Sequence, residues 1–141
     1  MTEGTTGRVL GLDLGQARIG VAVSDPDRRV AVPLGTVRTG APADVKAIAA
    51  LVREHDVALI VVGLPLRLSG ERGPEADQAV TFADTVRDAL GLPVELQDER
   101  LSTVEAERHL RAAGLSSRDQ RAVVDPSAAA ILLQAWLDRH R

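Results

Sequence analysis

The chain has 141 residues, 45% of them hydrophobic and 26% charged, and a formal net charge of −3. That length supports one domain with its own core, and no apolar run is long enough to span a membrane. Cysteine is absent and the three histidines stand far apart at 55, 109 and 140, which excludes disulfides, thiolate nucleophiles and zinc-thiolate sites.

Any bound metal must therefore use oxygen ligands. No signal-peptide pattern follows "MTEGTTG", so we expect a cytosolic protein, a single domain over 1–141 with residues 1–7 as a flexible tail. Among the 17 basic residues only Lys46 is a lysine; the rest are planar guanidinium forks suited to phosphate or carboxylate.

In chain order, "RVLGLDL", "RIGVAVSD" and "VAVPLGTV" are short β-type runs separated by turns at Gly15 and "PDR", which predicts two antiparallel hairpins. After "GAPAD" the period becomes 3.6, with Val45, Ile48, Ala49 and Val52 on one helical stripe. "VALIVVGLP" is apolar on both faces, the pattern of a covered parallel strand. The loop "LRLSGERG" leads to a helix opened by Pro74 and acidic in its first turn at Glu75 and Asp77. "LPVELQ" is a further strand. The capping-box pattern "STVE" at 102–105 predicts a helix just after "DER" that stops at Gly114. "LSSRDQRAVV" is irregular, and "DPSAAAILLQAWLDRH" is a last helix with Pro126 at its first position. The expected fold class is α/β: a mixed five-stranded sheet, three antiparallel strands and then parallel ones, flanked by helices.

Three carboxylates stand at element ends. Period-two alternation puts Val9, Gly11 and Asp13 on one face of the first strand, with Gly11 leaving space beside a charge that is costly to bury alone. Asp98 and Glu99 end the strand "PVELQDE", and Asp125 precedes the last helix. If the first and last strands are neighbours, these groups converge at the carboxyl ends of the sheet, where open sheets collect their chemistry. Mg²⁺ or Mn²⁺ would suit such an oxygen set and offset the burial of Asp13. Each group also has a structural role open to it. Asp13 could accept backbone N–H bonds in the Gly15 turn, Glu99 could pair with Arg100 or Arg67, and Asp125 could be an N-cap.

The segments "GLDLGQARIGVAVSD", "VVGLPLRLSGERGPEA", "QDERLSTVEAE" and "DPSAAAILLQAWLD" resemble, in order and spacing, the four signature blocks of the YqgF/RuvX family of RNase H-like nucleases. The resemblance spans nearly the whole chain. It implies a ribonuclease H-like fold and divalent-metal-dependent hydrolysis of phosphodiesters. The main role it implies is processing the 5′ end of precursor 16S ribosomal RNA, with Holliday junction resolution on DNA as the alternative. By position it makes Asp13, Glu99 and Asp125 the catalytic, metal-binding acids, with Asp98 as the alternative to Glu99. The loop "LPLRLSG" departs from the family pattern, with Arg67 and Ser69 where smaller polar or acidic groups are expected.

Such a site would hold two Mg²⁺ or Mn²⁺ ions roughly 3.5–4 Å apart, which needs no covalent nucleophile. Arg18, Arg67, Arg72 and Arg100 are expected around it as substrate-binding groups. Arg108, Arg111, Arg118 and Arg121 against Asp119 give a second local charge of +3, which reads either as a solvated helix face or as a phosphate-tracking patch with Arg118 and Arg121 as its contacts. Phe82 and Trp136 are the only aromatics besides histidine, so no platform exists for stacked bases, and a structured RNA would be read by backbone and shape. Trp136 is expected in the core. "GLDLGQARIG" also fits an actin-like ATPase, but that architecture needs a second domain that 141 residues cannot hold. A catalytically silent RNA-binding protein of ribosome assembly would use the same fold. Nothing in the sequence marks a dimer face.

Overall fold

Strand β1 (Arg8–Leu14) is the centre of a five-stranded sheet of order β3-β2-β1-β4-β5. It pairs antiparallel with β2 (Arg18–Ser24), which pairs antiparallel with β3 (Ala31–Arg38). On its other side it pairs parallel with β4 (Val57–Leu64), and β4 with β5 (Val94–Asp98). This is the mixed sheet expected from the sequence. Helices α1 (Ala43–Glu54), α2 (Pro74–Leu90) and α3 (Asp125–Arg139) flank it. This computed structural model describes residues 7–67, 69–100 and 125–141, and for residues 125–127 the backbone alone.

Alternation along the strands divides the core into two layers. Leu10, Leu12, Ile19, Val21, Ile60 and Val62 face α1 and α2, meeting Ile48, Ala79, Ala83 and Val86. Val9, Ala22, Leu59 and Val61 face α3, meeting Ala129, Leu133, Trp136 and Leu137. Strand β4 is buried on both faces, as its unbroken apolar run requires. Trp136 lies in the core, as expected.

The space expected beside Gly11 is not open. A Cβ there would stand 2.9 Å from Leu133 Cβ and 3.4 Å from the Ala129 carbonyl oxygen, so α3 rests directly on the β1 backbone. Leu133 is fully buried in that contact, and truncating it to Ala would cost about 2–5 kcal/mol. The glycine in β1 serves helix packing.

Two further differences bear on the site. Strand β4 lies between β1 and β5, so the first and last strands are not neighbours. Helical backbone begins at Glu99, inside "DER", because Asp98 Oδ1 accepts the Arg100 N–H at 2.9 Å and caps the turn four residues before Ser102, the cap that the "STVE" pattern implies. Residues 101–124, which carry that pattern and the expected helix, lie outside the described residues, as do residues 1–6 of the expected tail. Gly7 is held at the sheet, its carbonyl accepting Arg28 Nε at 2.9 Å. Among the described residues no helix is long and apolar enough to cross a membrane.

Candidate nuclease site

Asp13 occupies the next-to-last position of β1, half-buried, on the face that α3 covers. Its register partner on β2 is Gly20. On the β4 side, the pairing of Leu12 with Val62 makes Gly63 the next residue along. Gly63 is in turn the register partner of Gln97 on β5, and Glu99 lies two residues beyond Gln97.

Gly63 is what joins the two acids across the intervening strand. A Cβ built on it would collide with Glu99, overlapping Oε1 and standing 2.8 Å from Cδ and 2.9 Å from Cγ. The Glu99 side chain therefore lies over the bare backbone of β4 and reaches Asp13, with which its carboxyl shares a hydrogen bond. Burial first, then that hydrogen bond and the charges of Asp13 and Asp98, push the Glu99 carboxyl up to about 9. Two carboxylates this close cannot both stay ionised without a cation.

Asp98 is engaged elsewhere. Its carboxylate takes the Arg100 guanidinium in a fork, at 3.0 Å and 3.1 Å from Nε and 2.7 Å from Nη2, in addition to the Arg100 N–H. The Arg100 hydrogen bond holds the Asp98 carboxyl below the ordinary carboxylate range. Of the adjacent acids, one is thus a cap and ion-pair partner and the other turns to Asp13. Strand alternation does not separate them, since Glu99 already belongs to a helical turn.

Helix α3 opens at Asp125, one turn before Ala129, whose carbonyl lies over Gly11; four residues of helix rise, about 6 Å, match the two strand residues from Gly11 to Asp13. The start of α3 thus stands over the end of β1 that carries Asp13, and the Asp125 side chain lies outside the described residues. Among the described residues no three acids or histidines converge. Arg67 and Arg72 are exposed on a hairpin arm closed by the Leu66–Arg72 bridge and by bonds from Gly70 N to the Arg67 carbonyl and from Arg67 N to the Glu71 carbonyl, at 2.8 Å and 3.0 Å. Arg100 Nη1 lies against Gly70, which sets this arm beside Asp98 at the carboxyl end of β4. Arg18 is exposed at the start of β2, and Arg118 and Arg121, with Arg108 and Arg111, lie outside the described residues. The residue that sequence reasoning missed is Gly63. Its signal was a glycine inside a β-branched run, which marks a close approach by another group.

A sequence profile of the RuvX family, described as Holliday junction resolvase, matches residues 7–139. The chain belongs to the RuvX family. A RuvX relative from Anaeromyxobacter dehalogenans strain 2CP-C, named "Putative pre-16S rRNA nuclease", is 54% identical over 133 residues, covering 94% of this chain and 97% of the relative. A protein of the same name from Chloroflexus aurantiacus strain J-10-fl is 49% identical over 134 residues, covering 94% and 88%. Among solved structures, Thermus thermophilus RuvC in complex with a Holliday junction superposes with a TM-score of 0.54 over 95% of this chain and 96% of RuvC, at 20% identity. At that identity the likeness is one of fold, and it makes the RuvX sheet and helices ribonuclease H-like.

Proposed function

We infer that this protein is a divalent-metal-dependent phosphodiesterase that processes the 5′ end of precursor 16S ribosomal RNA, with Asp13, Glu99 and Asp125 as its catalytic acids. The observation that carries the reading is the Glu99 carboxyl hydrogen-bonded to Asp13 at the carboxyl ends of β1 and β5. A buried pair sharing one proton is costly for a fold to keep for stability alone, and is the donor set a hard cation takes. The names of the relatives in Anaeromyxobacter and Chloroflexus support ribosomal RNA as the substrate.

The residues fit a cation site: all-oxygen donors, half-buried, with one carboxyl held protonated by the other. Asp13 and Glu99 would hold Mg²⁺ or Mn²⁺, with Asp125 brought to the same end by the start of α3, and two ions would be accommodated if all three acids take part. When bound, the metal supplies positive charge against the phosphodiester oxygens and lowers the cost of in-line attack by water. Asp98 fixes the helical turn from which Glu99 projects and neutralises Arg100. Gly63 gives Glu99 its path to Asp13. Arg67 and Arg72, on the hairpin arm, and Arg18 meet the substrate backbone as cations, with Arg118 and Arg121 proposed as the outer phosphate contacts.

A second reading, resolution of four-way DNA junctions, is favoured by the family description. Incubating purified protein with a precursor 16S RNA and with a four-way DNA junction, each in Mg²⁺, Mn²⁺ or chelator, separates the two. Cleavage of the RNA alone, abolished by chelator, is expected. Metal-independent cleavage, or none with either substrate, would end the proposal.

A further inference from the structure

The face that carries Asp13 continues toward the β3 edge with two arginines directly opposite each other. Register pairs Asp13 with Gly20 and Gly20 with Thr36, and the next outward pair on the same face is Arg18 with Arg38. The intervening pair, Ile19 and Val37, belongs to the opposite face, against α1 and α2. Arg18 and Arg38 therefore share the α3 face of the sheet with Asp13, two residues or about 6.8 Å further along the strands.

Like charges placed directly opposite in an antiparallel pair repel, and sheets normally avoid them. Both arginines are exposed, and among the described residues neither has an ion pair or a side-chain hydrogen bond. The backbone around them is tied down. Thr39 Oγ1 donates to the Gly15 carbonyl at 3.0 Å and the Thr39 N–H to the Ala17 carbonyl at 3.0 Å, so the turn before Arg18 and the residue after Arg38 are fixed to one another. Two guanidinium groups held at fixed spacing beside the candidate phosphodiesterase site can share one anion between their forks.

We propose that Arg18 and Arg38 together hold one backbone phosphate of the RNA strand flanking the scissile bond, and so direct that strand from the Asp13–Glu99 pair across β2 to the β3 edge. Arg38 is thereby a substrate-positioning residue, and the pair binds phosphate whatever base it carries. This inference rests on the nuclease reading, which fixes where the scissile bond lies.

The test is binding of a single-stranded RNA oligonucleotide in chelator, where no cleavage occurs, across a salt series for the wild type and for Arg18→Ala, Arg38→Ala, the double variant and Arg53→Ala. Arg53, exposed in the last turn of α1, controls for loss of one positive charge. One phosphate contact in single-stranded nucleic acid contributes about 0.7 to the log–log salt slope. Arg38→Ala is expected to lower the slope by that amount, and the double variant to add little to it, because both forks hold the same phosphate. In Mn²⁺ with precursor RNA, Arg38→Ala should raise KM several-fold with kcat nearly unchanged. A slope for Arg38→Ala equal to that of Arg53→Ala, in a wild type that binds and cleaves, overturns the clamp and leaves the nuclease reading standing. A wild type that binds no oligonucleotide but cleaves precursor RNA in Mn²⁺ also overturns the clamp alone, and one that cleaves no precursor RNA overturns the nuclease reading on which it rests.

Discussion

The Glu99 carboxyl reaches Asp13 across the bare backbone of Gly63, bringing an acid of β1 and one just past the end of β5 together although β4 separates the two strands. If this pair is the metal site, Glu99→Gln and Asp13→Asn should each lower RNA cleavage by more than the roughly 10–100-fold that loss of a residue merely supporting a metal ligand costs. Neither change should unfold the protein, since each removes charge from a partly buried pair that is unfavourable without a cation. Cleavage in Mn²⁺ together with the melting temperature checks both. Undiminished turnover in either variant would exclude that residue from the catalytic set, and a large fall in melting temperature would make it a structural acceptor.

The shared proton has a consequence for stability against pH. Without divalent ions Glu99 holds its proton up to about 9 when folded, against an ordinary value of 4.5. The folded state then binds more protons than the unfolded chain across that interval, so stability falls as pH rises through it and levels off above it. The slope from one group is at most about 1.4 kcal/mol per pH unit. Asp98 acts in the opposite sense: its carboxyl is lowered, so its contribution is present above the ordinary carboxylate range and is lost on acidification. Urea denaturation in chelator at pH 6 and pH 8.5 should show the wild type weaker at the higher pH and Glu99→Gln nearly level. Equal slopes in the two proteins would mean that Glu99 does not hold the proton.

Gly63→Ala should separate folding from function. The glycine has no left-handed φ, and alanine in a strand is ordinarily the more stable residue by about 0.5–1 kcal/mol. The added Cβ would displace Glu99 from Asp13 while leaving the Val61 and Val62 packing in place. Cleavage should fall about 10–100-fold, and Mn²⁺ binding measured by calorimetry should weaken with it. In a Glu99→Gln background the same substitution should cost little more, because the two changes remove one arrangement. Losses that simply multiply would show Gly63 acting on strand packing alone.

Asp98 and Asp125 both stand at helix starts, and serine distinguishes a cap from a ligand at each. Ala at Asp98 should cost about 1 kcal/mol through the lost cap and the freed Arg100, and Ser should recover most of it. Asp98→Ser is expected to retain cleavage, since Glu99 and not Asp98 faces Asp13. Asp125→Ser should keep its melting temperature and lose cleavage, because a neutral hydroxyl binds Mg²⁺ or Mn²⁺ poorly beside a carboxylate. Near-normal cleavage by Asp125→Ser in saturating Mn²⁺ would leave Asp13 and Glu99 as the whole acid set.

Much of the fold was legible from local pattern. Period-two runs at 8–14, 18–24 and 31–38 with short turns between them dictate hairpins, and the two-faced run at 57–64 dictates a covered parallel strand, because side-chain direction alternates strictly along a strand. The placement of acids at element ends was legible too, since a charge inside an apolar strand demands a reason wherever the strand goes. Strand order was not. Adjacent strands in sequence do not say which pair closes the sheet, so the position of β4 between β1 and β5, and with it the need for a gap at Gly63, exists only in the tertiary structure. The open space expected at Gly11 stands instead at Gly63 for the same reason. Gly11 lies where α3 packs and Gly63 where Glu99 crosses, and a missing side chain carries no mark of what will fill its space. Asp98 and Glu99 were separable only once Arg100 was seen to bind the first, because residues adjacent in sequence differ by environment and not by type.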